Sequence, residues 1–230
     1  MTLRNQKKEQ PCLRNSGCSL SLPDTEVAAK RNISSYWNLR SLSYGSDVSP
    51  EELSAWRTCL TSISNDMRNG GGRLKVLDVG TGRGFLALIL AEMGHQVTGL
   101  DLSFGMLGFA KAGCHEKGAP EFCLGDAERL PFREESFDLV ISRHLLWTLP
   151  HPGTAIREWK RVLRPDGRIA AIDGLWFEDS PGMRLRRFLS SAITAIKERR
   201  DTRTFERHYQ SIKDDLPLYS PEIEFGDLEN

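Results

Sequence analysis

Residues 74–84 read LKVLDVGTGRG, a short apolar run that leads into three glycines at alternate positions. Where a strand passes into a helix, such glycines let a ligand lie on backbone N–H groups at the carboxyl edge of a sheet. A tight turn without a ligand gives the same pattern. Position 85, where the dinucleotide fingerprint G-x-G-x-x-G has its last glycine, is Phe85. No GxxxxGK[ST] sequence supports a triphosphate cradle.

Short apolar runs alternate with helical patterns on the C-terminal side of this turn. The predicted strands are 74–80, 96–101, 121–124, 137–142 and 168–173, and the predicted helices are 85–94, 104–115 and 154–163. Near-continuous apolar strands separated by helices are typical of a parallel sheet covered on both faces. The sequence therefore predicts a doubly wound, mostly parallel Rossmann-like α/β domain over residues 70–180.

The rest of the chain divides into three parts. Residues 1–24 show no periodicity and predict a mobile tail. Residues 25–69 carry two amphipathic patterns, the second begun by Ser49 as N-cap and Pro50 at the first helical position, and predict a helical lid. Residues 181–230 predict a basic helix and an irregular segment. That helix either covers the sheet with a solvated cationic face or caps a site for acidic molecules.

Composition excludes several classes of function. The 230 residues contain 31 Lys and Arg and 31 Asp and Glu, so no net field attracts nucleic acid. No apolar run approaches the roughly 20 residues of a membrane span, and the first ten residues are polar. Five scattered cysteines without a C-x-x-C pair argue against a disulfide framework and a metal site. We expect a cytoplasmic protein without nucleic-acid, membrane or metal partners.

Two acidic positions follow predicted strands. Asp101 closes the second strand, where a carboxylate is placed to accept both hydroxyls of a ribose. Asp126 follows the third strand within Gly125-Asp126-Ala127-Glu128. Because the carboxyl ends of parallel strands meet at one edge, we expect these acids to lie beside the glycine turn.

Five segments resemble the class I S-adenosylmethionine-dependent methyltransferases, within them the type 11 small-molecule group related to the ubiquinone-biosynthesis enzymes. They are VLDVGTGRG (76–84), TGLDLSFGML (98–107), GDAERLPF (125–132), SFDLVISRHLLWTL (136–149) and EWKRVLRPDGRIAAID (158–173). The resemblance implies transfer of a methyl group from S-adenosylmethionine to a small-molecule acceptor by in-line displacement, leaving S-adenosylhomocysteine. It does not specify the acceptor.

The resemblance also implies roles for the turn and the second strand end. The methionine part of the cofactor would lie against Gly80, Gly82 and Gly84, and Asp101 would bind the ribose hydroxyls. Asp78 would orient the loop or reach the cofactor's amino group, or else would cap the glycine turn.

The adenine part would lie between apolar side chains with polar groups at its edge, as a flat base requires. Leu102 and Met106 would cover its two faces. Asp126 would accept from its amino group, and the Ala127 N–H would donate to a ring nitrogen.

The end of the fourth strand is the expected acceptor side. His144 would act as a general base or orient the acceptor, or would be a structural histidine. Arg143 would bind a carboxylate or phosphate of the acceptor. Trp147 would wall the pocket or pack in the core, and Trp176 would complete the pocket from a loop.

The segment Tyr36–Tyr44 resembles the YWN-x-R-x-x-x-Y entrance of the family. Trp37 and Tyr44 would fold over the cofactor as a lid, or would pack in the core. Arg83 departs from the Pro or small residue that many relatives carry, and we expect it to reach towards a nearby anionic group.

Two alternatives to an active enzyme remain. One is a non-catalytic or truncated paralogue that binds adenosylmethionine, since residues 201–230 contain no pair of β-rich runs for the family's final hairpin. We expect that hairpin to be absent or rudimentary, and the exposed sheet edge to be covered in a homodimer. The other is an NAD(P)-dependent oxidoreductase, which Phe85 and the Asp126 motif disfavour.

Overall fold

The structure is a computed structural model that describes residues 24–44, 48–67, 72–114 and 118–173. Its helices are α1 (Asp24–Arg40), α2 (Pro50–Asp66), α3 (Phe85–Glu92), α4 (Phe104–Ala112) and α5 (Pro152–Val162). Its strands are β1 (Lys75–Val79), β2 (Gln96–Asp101), β3 (Glu121–Leu124), β4 (Phe137–Arg143) and β5 (Leu163–Ile172). Most of the N-terminal tail, the basic helix, Trp176 and the expected lack of a hairpin lie outside the described residues.

The five strands form one parallel sheet in the order β3-β2-β1-β4-β5. The central strand β1 pairs with β2 on one side and with β4 on the other, for instance through Val79 opposite Leu100 and opposite Ser142. The carboxyl ends of β1, β2, β3 and β4 therefore meet at one edge of the sheet. The predicted Rossmann-like α/β fold is confirmed.

Successive residues of β1 point to opposite faces of the sheet, and each face has its own core. Val76 packs with side chains of α2 and α3, including Leu60 and Leu90. Leu77 packs on the other face with α5, where Trp159 is fully buried and donates its indole N–H to the Ala127 carbonyl at 3.1 Å. Helices thus cover both faces. No described helix combines the length and apolar character that a membrane crossing requires.

The last strand begins earlier than the sequence indicates. We expected a turn over 165–167 followed by a strand from Arg168, whereas β5 starts at Leu163. Its register on β4 jumps from the pair Phe137–Leu163 to the pair Leu139–Arg168, so the turn is inserted in the strand as a bulge. Pro165 has no N–H to donate to a ladder, which explains why pairing is interrupted there.

The buried face of α1 also differs from the expectation. The sequence predicts an apolar stripe of Val27, Ile33, Trp37 and Leu39 for this helix. Val27 and Leu39 are instead 39 % and 49 % exposed, while Ala29, Ile33 and Tyr36 are buried. Ser49 caps α2 as expected, accepting a hydrogen bond from the Glu52 N–H at 3.2 Å. Polar side chains of α1 that contact the segments after β2 and β3 determine which face of this helix is buried.

The turn after β1 needs its glycines and is held by a buried carboxylate. Gly80, Gly82 and Gly84 all have positive φ, which other residues adopt only with strain. Asp78 Oδ2 accepts from the Thr81 hydroxyl at 2.6 Å and from the Ala87 N–H in the first turn of α3 at 3.2 Å. Asp78 therefore caps the turn and the helix. Burial, opposed by these hydrogen bonds, raises the pKa of Asp78 to about 6.

Asp78 makes stability depend on pH in a defined direction. Because the folded chain binds this proton more tightly than the unfolded chain does, stability is lost as the pH rises from the ordinary carboxyl range through about 6. We expect the free energy of unfolding of the wild type to fall by about 2 kcal/mol more than that of Asp78→Asn between about pH 4.5 and pH 7.5.

Urea unfolding of both proteins at the two pH values measures this difference. Any pH-independent cost of the substitution cancels in the comparison. A difference between the two proteins that stays constant with pH would contradict the assignment.

Candidate functional site

A cleft lies at the carboxyl edge of the sheet. Its walls come from α1, the glycine turn, the segments after β2 and β3, and the end of β4 with the residues that follow it. The lining is mostly apolar, with a few charged side chains among the apolar ones. A mostly apolar lining with a few charged groups is typical of pockets for small molecules and cofactors.

Asp101 is the charged group at the centre of one wall. Its Oδ2 accepts from the Gly82 N–H and its Oδ1 from the Ser103 N–H, both at 2.8 Å. Burial raises the pKa of Asp101, although these backbone hydrogen bonds act in the opposite direction. The carboxylate is thereby fixed between the glycine turn and the start of α4, and each oxygen keeps capacity for another donor.

An apolar slot lies beside Asp101. Leu102 and Met106 line it from the start of α4, and Ala127 lines it from the segment after β3. Met106 is buried and its N–H is capped by the Ser103 hydroxyl at 3.1 Å. Asp126, on the same segment as Ala127, adds a polar group to the lining.

Asp126 is paired with a lysine of α1 that the sequence did not single out. Lys30 Nζ lies 2.6 Å from Asp126 Oδ2 and 2.7 Å from Glu128 Oε2. Burial lowers the pKa of Lys30, but the hydrogen bonds to the two carboxylates outweigh it and the pKa is raised overall. Asp126 Oδ1 accepts from the Glu128 N–H at 2.9 Å.

Two further polar side chains of α1 bind the segment after β2. The Ser34 hydroxyl donates to the Leu102 carbonyl at 3.0 Å, and Asn38 Oδ1 accepts from the Ser103 hydroxyl and from the Gly105 N–H, both at 2.8 Å. Lys30, Ser34 and Asn38 are four residues apart, so they lie along one face of the helix. Polar residues at this four-residue spacing are a sequence signal that indicates the face of α1 in contact with the loops.

Arg83 joins the glycine turn to the segment after α1. It donates to the Tyr44 carbonyl at 2.7 Å, and its guanidinium carbon lies 4.4 Å from the centre of the Phe109 ring. The expectation that it reaches an anionic group is wrong, since its hydrogen bond goes to a backbone carbonyl. The contact holds Tyr44 beside the cleft.

Aromatic side chains of α1 and of the segment after it lie at the cleft. Trp37 and Tyr44 both line the cleft, with ring centres 5.7 Å apart in an edge-to-face arrangement. Trp147 packs edge-to-face against Trp37 at 6.5 Å. The structure thus brings α1 and the end of β4 together over the cleft.

Two polar residues lie at the end of β4. His144 has a left-handed backbone conformation, with φ of 59°, and its Nδ1 lies 3.6 Å from Asp173 Oδ1. The guanidinium of Arg143 is placed over the Phe85 and Trp56 rings, 4.4 Å and 5.2 Å from their centres. Both side chains line the cleft.

Most of the residues singled out from the sequence surround the same cleft. Its lining includes Gly80, Gly82, Asp101, Leu102, Met106, Asp126, Ala127, Trp37, Tyr44, Arg143 and His144. Asp78, Gly84 and Trp147 are not among the lining residues. Asp78 is turned towards the start of α3, Gly84 faces Phe122 and Ala110, and Trp147 backs Trp37.

Comparison with known proteins agrees with this geometry. Residues 77–171 match a family model described as a methyltransferase domain. The chain is 36 % identical over 99 residues to a demethylmenaquinone methyltransferase of Renibacterium salmoninarum, covering 43 % of this chain and 40 % of that protein. It is 33 % identical over 162 residues to a malonyl-[acyl-carrier protein] O-methyltransferase of Methylococcus capsulatus, covering 60 % and 58 %.

A solved structure shares the fold. Haemonchus contortus phosphoethanolamine N-methyltransferase 1, solved with phosphoethanolamine and S-adenosylhomocysteine, superposes with a TM-score of 0.54 at 21 % identity, over 64 % of this chain and 32 % of that one.

The matches cover less than two thirds of the length of these curated relatives. The family match over residues 77–171 spans nearly all of the sheet and most of the residues that line the cleft. Over this region the chain is similar to methyltransferases.

Proposed function

We propose that this chain transfers a methyl group from S-adenosylmethionine to a small-molecule acceptor. The observation that supports the proposal is the composition of the cleft. The glycine turn, Asp101, apolar side chains and Asp126 all line it at one edge of a parallel sheet. The matched methyltransferase relatives support the same reaction class.

The residues of the cleft fit the parts of this cofactor. Asp101 offers an ionisable acceptor for the ribose hydroxyls, and Leu102, Met106 and Ala127 form apolar walls for the base. A methyl group added at Gly82 would meet nothing within 4 Å, so space for a ligand lies directly against the backbone there. We infer that the amino acid part of the cofactor occupies that space.

For methyl transfer the protein mainly has to align the acceptor with the methyl group and to exclude water from the reacting centre. When bound, S-adenosylmethionine supplies a methyl group on a sulfonium, whose leaving group is neutral. Trp37 and Tyr44, held by Trp147 and Arg83, cover the cleft from the α1 side. We infer that they shield the reacting centre from solvent.

The acceptor is proposed to bind at the end of β4. Arg143 offers a guanidinium oriented by stacking on two rings, which suits a carboxylate or phosphate. His144 lies beside Asp173, an arrangement in which a carboxylate orients an imidazole that takes a proton from the acceptor. The left-handed backbone of His144 is strained for a non-glycine residue, and such strain is found most often at functional sites. This supports a functional role for its side chain.

Replacing Asp101 tests cofactor binding. We expect Asp101→Asn to raise the dissociation constant for S-adenosylhomocysteine by about 10- to 100-fold, because charged acceptor hydrogen bonds to the ribose are lost. Asp66→Asn, at an exposed position on α2, is the matched control and should bind like the wild type. Isothermal titration gives both constants, and equal affinity of Asp101→Asn and the wild type would refute the ribose assignment.

Replacing His144 separates a structural role from a functional one. Because glycine adopts the left-handed conformation without strain, we expect His144→Gly to be more stable than His144→Ala by about 1 kcal/mol and no less stable than the wild type. Its affinity for S-adenosylhomocysteine should stay within about twofold of the wild type, since the acceptor side is not part of that site. Chemical unfolding and titration measure the two quantities; a large loss of stability in His144→Gly would show that the imidazole is structural.

A further inference from the structure

Five ionisable side chains meet where α1 passes the segment that follows β3. Lys30 Nζ lies 2.6 Å from Asp126, 2.7 Å from Glu128 and 3.2 Å from Glu26, and His151 Nδ1 lies 3.3 Å from Glu128. The Glu128 side chain is 2 % exposed and also accepts the His151 N–H at 2.6 Å. A single ammonium thus stands between two strand-end carboxylates.

Of these five residues, Asp126 alone lines the cleft. Lys30 contacts its Oδ2 and the Glu128 N–H contacts its Oδ1, so both oxygens are fixed in place by donors from the protein. A carboxylate has about four acceptor positions, so room remains for a donor of a ligand. The geometry presents the cleft with an oriented acceptor.

We propose that Lys30 is a positioning residue that makes this cleft select a base with an exocyclic amino group over one with an oxo group at the same place. The inference rests on the proposed cofactor function and adds a determinant of ligand specificity on α1. Lys30 does not line the cleft and acts through Asp126.

The physical reason is the charge balance of the Asp126 and Glu128 pair. With the ammonium between them, Asp126 is an acceptor only, and an oxo group brought against it would be repelled. Without the ammonium, the two neighbouring carboxylates repel each other and Asp126 Oδ2 loses the donor that holds it in place. The acceptor is then no longer oriented towards the base, and the preference for the amino group declines.

Binding of two ligands that differ at one edge of the base tests the proposal. S-adenosylhomocysteine carries an amino group beside an accepting ring nitrogen, and S-inosylhomocysteine carries an oxo group beside a ring N–H. Because the ring nitrogen also changes, the readout is the change in preference between the wild type and the Lys30 variants. We expect the wild type to prefer the first by about 100-fold or more, since a built hydrogen-bonding site rejects an analogue that leaves it unpaired. In Lys30→Met the preference should fall by about tenfold, and the affinity for S-adenosylhomocysteine should fall as well.

Three further variants distinguish specificity from general damage. Lys30→Arg should restore most of the preference, and Lys30→Gln, which keeps a donor without the charge, should lose it as Lys30→Met does. Glu26→Gln removes the third carboxylate on Lys30 but neither strand-end acid, and should stay within about twofold of the wild type. Urea unfolding of each variant reports folding.

The outcomes are separable. If the wild type prefers S-adenosylhomocysteine and both uncharged Lys30 variants keep the same ratio, the inference is overturned while the proposed function stands. A preference that declines equally in Glu26→Gln would also overturn it. If the wild type binds neither ligand, the proposed function fails, and this inference fails with it.

Discussion

Parallel pairing of β1 with β2 and with β4 is the constraint on which the whole site depends. It brings the carboxyl ends of the strands to one edge, so that the glycine turn after β1, Asp101 at the end of β2 and His144 after β4 become neighbours. The hydrogen bonds from the Gly82 and Ser103 N–H groups to Asp101 then join two of these ends. The buried carboxylate of Asp78 accepts a hydrogen bond from the Ala87 N–H and thereby holds the start of α3 against the glycine turn. The charge of Asp101 is therefore positioned by backbone groups.

Helix α1 is attached to this edge chiefly by polar contacts. Lys30, Ser34 and Asn38 each reach a different point of the segments after β2 and β3, and the Tyr44 carbonyl is held by Arg83. Such contacts are directional, so they fix the rotation of the helix and place Trp37 over the cleft.

The sequence predicted the fold well because its signals were local. Apolar runs marked the strands, Ser49 and Pro50 marked the start of α2, and Asp101 stood at a strand end. What it did not reveal depends on long-range contacts. Lys30 and Asp126 are 96 residues apart in the chain, and the local sequence around either residue does not indicate that the other is its partner. The exposed Val27 and Leu39 of α1 and the bulge in β5 likewise follow from tertiary packing and strand register. For Asp78 the resemblance implied orienting the loop or reaching the cofactor's amino group, with capping of the glycine turn as the alternative. Its hydrogen bonds to Thr81 and Ala87 are those of a cap.

A crystal structure with S-adenosylhomocysteine would test the central claim most directly, namely that the strand ends form the cofactor site. The account predicts ribose hydroxyls within about 2.5–3.0 Å of the Asp101 carboxylate, the base between Leu102 and Met106, and its amino group on Asp126 with Lys30 still in contact. A ligand bound elsewhere, or one whose ribose turns away from Asp101, would contradict it.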